Sequence, residues 1–217
     1  MEQEGLNMKQ EVLSSILEKK IVAILRGLDY EENFKVMESL VEVGITNFEV
    51  TLNTPKALVI IEEALKKFDK SAFIGAGTVR NKEDALNAVN AGAQFLITPN
   101  LNEDCIEVAD RNNILISPGV FSPTEIARAY EYGCELVKLF PAAVLGSDYV
   151  NQLMGPFRDI KIMAVGGIDL LNINSYLHAG VQVFGLGSSL INSDLIKSGN
   201  YEQLKVHFQK YIELINK

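Results

Sequence analysis

Short apolar runs recur along the chain, and each is followed by turn residues and then by a stretch whose apolar positions fall three and four apart. Eight runs can be read in order: IVAILR from Ile21, NFEVT from Asn47, AFIGAG from Ala72, QFLIT from Gln94, ILIS from Ile114, ELVKLF from Glu135, KIMAV from Lys161 and VQVFGLG from Val181. They start about twenty to twenty-six residues apart. Between them lie helix signals. Asp29 with Glu32, and Ser122 with Glu125, form capping-box patterns, and Pro123 takes the first helical position after Ser122. Thr54-Pro55 predicts another N-cap followed by proline, and Phe34, Met37 and Val41, or Leu58, Ile61 and Leu65, fall on single helical faces. A further helix, Leu6 to Lys19, precedes the first strand. Strands that are apolar throughout and alternate strictly with helices predict a parallel sheet buried on both faces.

An internal repeat separates a closed barrel from an open, doubly wound sheet. Glycines at expected helix ends precede every second strand in the same way: Gly44-ITNFEV, Gly92-AQFLIT, Gly133-CELVKL and Gly180-VQVFGL. The repeating unit is therefore a pair of βα modules, and four such pairs close into a (β/α)8 TIM barrel with an additional N-terminal helix. A doubly wound sheet has no reason to show a fourfold repeat. No linker or composition shift divides the chain, so residues 1–217 are expected to form one barrel domain.

Composition narrows the function classes. The chain has 217 residues with 47% apolar and 22% charged positions, far from disordered or membrane compositions. Its 20 Lys and Arg against 28 Asp and Glu leave a formal charge of −8. That argues against a general nucleic-acid or anionic-membrane binder, so an anionic ligand needs a local site. Cys105 and Cys134 sit in amphipathic stretches without metal-knuckle or disulfide spacing, and His178 and His207 lie far apart. No metal site is expected, and buried thiols suit a reducing compartment. The start, MEQEGLNMKQ, is polar and acidic where a signal peptide would be basic and then apolar. A cytoplasmic protein is expected.

The glycine repeat also sets a register. Five residues beyond each helix-end glycine stand Glu49, Ile97, Lys138 and Gly185, which should occupy equivalent inward places on the even strands. Strands two and six lie opposite one another, so Glu49 and Lys138 would face each other across the interior. A charge in the middle of an apolar strand needs a reason, since burying an unpaired ion is very costly. Both fall toward strand C-termini, the end that carries barrel active sites. Burial disfavours the ammonium form and leaves a neutral amine able to attack a carbonyl, while a nearby carboxyl shuttles protons through carbinolamine, imine and enamine. Lys138 as nucleophile and Glu49 as acid/base describe a metal-free aldolase. Gly166-Gly167 after strand seven, and Gly187-Ser188-Ser189 after strand eight, together predict a phosphate site built from backbone N–H groups and a hydroxyl.

Taken in order, VAILRG, FEVTLNTP, GAGTV, ITPN, SPGVFSPTE, VKLFPA, AVGGI and GLGSS resemble the 2-keto-3-deoxy-6-phosphogluconate/4-hydroxy-2-oxoglutarate aldolase family over essentially the whole chain. The resemblance implies a class I, pyruvate-dependent aldolase on a (β/α)8 barrel, commonly trimeric, without a metal or other cofactor beyond the covalent imine. Carried over residue by residue, it makes Lys138 the Schiff-base lysine and Glu49 the acid/base. It sets Thr78, Pro99 and Phe140 around the pyruvyl group, and Gly166, Gly167, Gly187 and Ser188 at the phosphate. The small-molecule partner it implies is a phosphorylated keto acid.

Two positions depart from the phosphogluconate pattern. Asn53 stands where many members carry an arginine for the pyruvate carboxylate, and asparagine brings no charge and no bidentate fork. Arg26, at the end of strand one, is the candidate to supply that cation. Val165 stands where a threonine often precedes the double glycine. Both LNTP and AVGG look closer to the 2-keto-3-deoxy-6-phosphogalactonate branch, which keeps that epimer as an alternative substrate. The same barrel would also serve a metal-free phosphosugar isomerase or epimerase using Glu49 and Lys138, or a non-catalytic phosphosugar-binding module.

Overall fold

The computed structural model describes residues 2–216, with side chains from Met8 onward. The expected single domain over 1–217 includes Met1 and Lys217, which lie outside the described residues, as does the side chain of Leu6. A helix α1 (Glu2–Lys19) leads into β1 (Ile21–Leu25), and strands and helices then alternate: α2 (Tyr30–Glu42), β2 (Asn47–Thr51), α3 (Ala57–Phe68), β3 (Phe73–Gly77), α4 (Lys82–Asn90), β4 (Phe95–Ile97) and α5 (Glu103–Arg111). The second half follows with β5 (Leu115–Ser117), β6 (Gly119–Val120), α6 (Pro123–Glu131), β7 (Leu136–Leu139), α7 (Ala142–Leu153), β8 (Lys161–Val165), α8 (Ile173–His178), β9 (Val183–Leu186), α9 (Ser193–Lys197) and α10 (Tyr201–Ile215).

All pairings are parallel, in the order β5-β4-β3-β2-β1-β9-β8-β7-β6. β5 and β6 are two pieces of one strand interrupted at Pro118, which has no N–H to give to a ladder. One piece pairs with β4 and the other with β7, and Lys138 N–H donates to the Pro118 carbonyl at 2.9 Å, so the sheet closes on itself as an eight-staved barrel. The helix-end glycines do what the repeat implied: Gly44, Gly92, Gly133 and Gly180 have φ of +90°, +87°, +75° and +98°, a region that favours glycine. The Asp29–Glu32 and Ser122–Glu125 capping boxes are both present. The Thr54-Pro55 expectation is corrected. Helix α3 starts only at Ala57, after Lys56 in a left-handed conformation, because the Thr54 hydroxyl is engaged across the barrel mouth instead.

Apolar residues divide into two shells. An outer shell between sheet and helices includes Phe48, Met37, Ile61 and Phe208, and an inner shell fills the barrel. Strand tilt in such a barrel stacks the inward side chains in layers of four from alternate strands. The observed register gives Glu49, Ile97, Lys138 and Gly185 as one layer, with Ile24, Gly77, Gly119 and Val165 above it and Val22, Gly75, Ser117 and Met163 below. Contacts agree: a Cβ on Gly185 would lie 2.6 Å from Val165 and 3.5 Å from Met163 Sδ. Further down come Asn47, Phe95, Leu136 and Val183. Val12, Leu13 and Ile16 of α1 plug the bottom. Each fully buried side chain of this kind is worth about 1.5–3 kcal/mol.

Candidate active site

The C-terminal ends of the strands open into a cavity of about 750 Å³. Its floor is formed by Lys138 with Ile24, Val165 and Gly185, and Phe140 stands beside the lysine, with the Nζ 4.9 Å from the ring centroid. Lys138 is 3% exposed and Glu49 is fully buried. Burial pushes the Lys138 amine below its usual range, against the pull of the Glu49 carboxylate and helped by the Arg26 charge. The same burial pushes Glu49 above the usual carboxylate range, against the attraction of Lys138 and Arg26. Among the described residues, neither carboxyl oxygen of Glu49 has a hydrogen-bond partner. The carboxyl lies over Gly77, where a Cβ would fall on it, so that glycine is required by close approach.

Arg26 reaches into the mouth from the end of β1 and donates to Thr78 Oγ1 at 3.3 Å. Thr78 is held at φ +57°, an uncommon conformation for a β-branched residue and one that stores about 1–3 kcal/mol of strain. The loop carrying Arg26 is tied down by a chain of hydroxyls: Gly27 N–H donates to Thr54 Oγ1 at 3.1 Å, Thr54 and Thr51 hydroxyls meet at 3.0 Å, and Thr51 donates to the Leu25 carbonyl at 3.3 Å. Pro99 abuts Gly119, where a Cβ would meet the Pro99 backbone. Thr78 and Pro99 flank the Glu49 side without lining the open cavity, and Asn53 is exposed on its loop away from the lining.

The cavity's far end is formed by the turns after β8 and β9, with Gly166, Gly167, Gly187 and Ser188 all on its lining. Gly166 and Gly167 have φ of +93° and +76°, and a Cβ on Gly167 would fall on Ala143. The carbonyls of these turns are engaged from behind. Ala143 N–H donates to Gly166 O at 3.0 Å, Asn172 Nδ2 to Gly167 O at 2.7 Å, and Leu190 N–H to Gly187 O at 2.9 Å. The Ser189 carbonyl is held by the Tyr211 hydroxyl at 2.9 Å and faces His207 Nε2 at 2.8 Å. Lys197 of α9 also lines this end.

Of the sequence candidates, Arg26, Lys138, Phe140, Gly166, Gly167, Gly187 and Ser188 line the cavity. Sequence reasoning did not single out Lys197, His207 or Tyr211, which fall in no motif, nor the hydroxyl contacts of Thr51 and Thr54 inside FEVTLNTP. Among the described residues, no three His, Cys, Asp or Glu side chains gather as a metal-ligand set, and no helix is long and apolar enough to cross a membrane. Both cysteines are buried free thiols, and burial pushes each up to about 11.

Residues 12–206 match the family described as KDPG and KHG aldolase. A probable 2-dehydro-3-deoxy-6-phosphogalactonate aldolase of Rhizobium meliloti is 37% identical over 80% of this chain and 82% of its own. A 2-dehydro-3-deoxy-phosphogluconate aldolase of Haemophilus influenzae is 31% identical over 95% of this chain and 97% of its own. Among solved structures, the KDPG aldolase of Legionella pneumophila, with pyruvate captured as a covalent carbinolamine, superposes with a TM-score of 0.84 at 28% identity, covering 91% of this chain and 96% of that one.

Proposed function

We propose a reaction from a plain premise: this chain belongs to the KDPG and KHG aldolase family and is an enzyme, a class I aldehyde lyase. Its reaction is the reversible cleavage of 2-keto-3-deoxy-6-phosphogluconate to pyruvate and glyceraldehyde 3-phosphate, with 4-hydroxy-2-oxoglutarate as a further substrate. The observation that carries this reading is a buried lysine, held toward its neutral form, on the floor of a cavity whose far end is two glycine turns and a serine.

The neutral amine of Lys138 attacks the C2 carbonyl, and loss of water from the carbinolamine leaves a protonated imine. That cation withdraws electrons from C3. A base takes the C4 hydroxyl proton, the C3–C4 bond breaks, and glyceraldehyde 3-phosphate leaves an enamine behind. Glu49, now carrying that proton as a carboxylic acid, gives it to C3, and water then releases pyruvate. No external cofactor enters, since the imine is the electron sink. Arg26, fixed through Thr54 and Thr78, supplies the charge for the carboxylate that Asn53 lacks. Pro99 and Phe140 shape the pyruvyl pocket, and Gly166, Gly167, Gly187 and Ser188 take the phosphate on backbone N–H groups and a hydroxyl.

A second reading, the galactonate epimer, rests on Val165. It lines the cavity floor and offers an apolar surface where a hydroxyl would meet the substrate's own. Family membership sets aside the non-catalytic binding module. Pyruvate with borohydride should leave a stable adduct at Lys138, read by peptide mass. An unmodified Lys138 under saturating pyruvate overturns the mechanism. Turnover of both epimers side by side, with 4-hydroxy-2-oxoglutarate as the unphosphorylated control, decides the substrate.

The working form we propose is one barrel domain over 1–217, assembled as a cytoplasmic homotrimer. Phe121, Val144 and Leu171, 40%, 74% and 95% exposed, follow β6, β7 and β8 at the cavity end, which supports an association face there. Two buried thiols support a reducing compartment. A single-chain mass in sedimentation overturns the trimer.

A further inference from the structure

Ser117 is the last residue of β5, directly before the Pro118 break. Its backbone is held in the ladder with β4: its carbonyl accepts from Thr98 N–H at 3.3 Å, and the Thr98 hydroxyl in turn accepts from Gly119 N–H at 3.1 Å. Its side chain is different. Leu115, two residues earlier, belongs to the inner shell and Ile116 to the outer one, so alternation sends Ser117 into the barrel. The residue is 2% exposed, and among the described residues its hydroxyl has no hydrogen-bond partner.

The register says what that hydroxyl faces. Ser117 stands to Lys138 as Met163 stands to Gly185: one strand earlier and one layer below. Met163 Sδ comes within 3.5 Å of where a Gly185 Cβ would be, so this relation makes the two positions neighbours in the barrel interior. The other members of the Ser117 layer are Val22, Gly75 and Met163, none with a hydrogen-bonding donor on its side chain. The hydroxyl therefore lies alone in an apolar layer, on the strand beside the lysine's and one layer below it. Among the described residues, the buried atoms left without a partner in the barrel interior are both oxygens of Glu49 and this one. A buried polar atom is normally satisfied, and an orphan in a barrel interior marks a function or an ordered water.

We propose that Ser117 is a positioning residue for the Schiff-base reaction: its hydroxyl reaches Lys138 Nζ across one ordered water shared with Glu49, and holds the neutral amine aimed at the cavity. The proposal rests on the aldolase reading above. A water so held that it donates to the amine lone pair favours the neutral form, so loss of the hydroxyl that holds it makes the amine easier to protonate. The strand break does not use the hydroxyl, because the Ser117 and Pro118 carbonyls and the Gly119 N–H are already bound elsewhere.

The test uses Ser117→Ala and Ser117→Cys, the second keeping the volume with a much weaker donor. The rate of borohydride-trapped pyruvate adduct is followed against pH. Both variants should fold with a melting temperature close to the parent's, since the substitution is small and leaves the ladder around Pro118 intact. Both should form adduct about tenfold more slowly on the acid side, with the rate limb moved to higher pH by about one unit. A pH profile that overlays the parent's in both variants overturns the proposal. So does a slow Ser117→Ala beside a parent-like Ser117→Cys, which makes the position one of packing. A parent that forms no adduct at all overturns the aldolase reading itself, and the role of Ser117 with it.

Discussion

Asn47 and Glu49 sit two residues apart on the same strand and point into the same barrel, yet they are treated in opposite ways. Asn47 is fully buried and paired: its amide oxygen accepts from Ser15 of α1 at 3.0 Å. Glu49 is equally buried, and among the described residues neither of its oxygens is paired. Below Asn47 the interior is closed by Val12, Leu13 and Ile16; above Glu49 it opens into the cavity. The lower half is thus a satisfied core and the upper half a stressed one, with an unpaired carboxyl, a desolvated lysine and a strained Thr78. The groups to which the proposed reaction gives the chemistry are the unpaired ones, and the plug below supplies stability that offsets their cost.

The comparison can be broken from either end. The largest effect is expected at the bottom. Ile16→Ala should lose about 2–5 kcal/mol in urea unfolding, by removing a 1% exposed side chain from the plug. Turnover of the still-folded protein should change less than about twofold; a parallel loss of turnover would show that the two halves are not independent.

At the top, Glu49→Gln should slow turnover about a hundredfold, equivalent to about 2.7 kcal/mol of barrier. Its effect on stability should have the opposite sign, and pH sets its size. Glu49's folded pKa is raised by burial. Its contribution is therefore complete below the ordinary glutamate range and is lost as pH rises through the raised value. Gln does not titrate, so the variant should match the parent in melting temperature near pH 4 and exceed it increasingly toward pH 8. A variant that is less stable at high pH than at low, relative to the parent, would place Glu49 with the satisfied groups.

The smallest effect is expected at the support between the halves. Thr54→Val removes the acceptor of Gly27 N–H and should cost about 1 kcal/mol. Because that bond fixes the Arg26 loop, the Michaelis constant should rise about fivefold with turnover nearly unchanged. A fall in turnover alone would mean that Thr54 serves the chemistry instead of carboxylate binding.

What was legible in the sequence divides along the same line. Strand and helix positions, both capping boxes, the four helix-end glycines and the Glu49–Lys138 layer are consequences of local periodicity, which neighbouring residues report. The supports are pairings between residues distant in the chain, so no local pattern could announce them. Thr54 is the clearest case: by composition it is an N-cap before proline, and only contact with Gly27 converts it into a tie between two loops. His207 is another. Its sequence position fits no metal-ligand spacing, and only the fold brings it to the Ser189 carbonyl behind the glycine turns. The N-terminal helix was visible as a helix, but its use as a plug depends on a barrel that has to exist first.

That dependence reaches into synthesis. The seat for Val12, Leu13 and Ile16 is made of side chains from β1, β4, β5, β7 and β9, including Leu115, Leu136 and Val183. As the ribosome releases the chain, the helix precedes every strand it sits on and finds no complete seat until about residue 183 has been made. An element translated so far ahead of its seat is housed late, and until then its apolar stripe stays uncovered on the nascent chain, the segment a chaperone would be expected to hold.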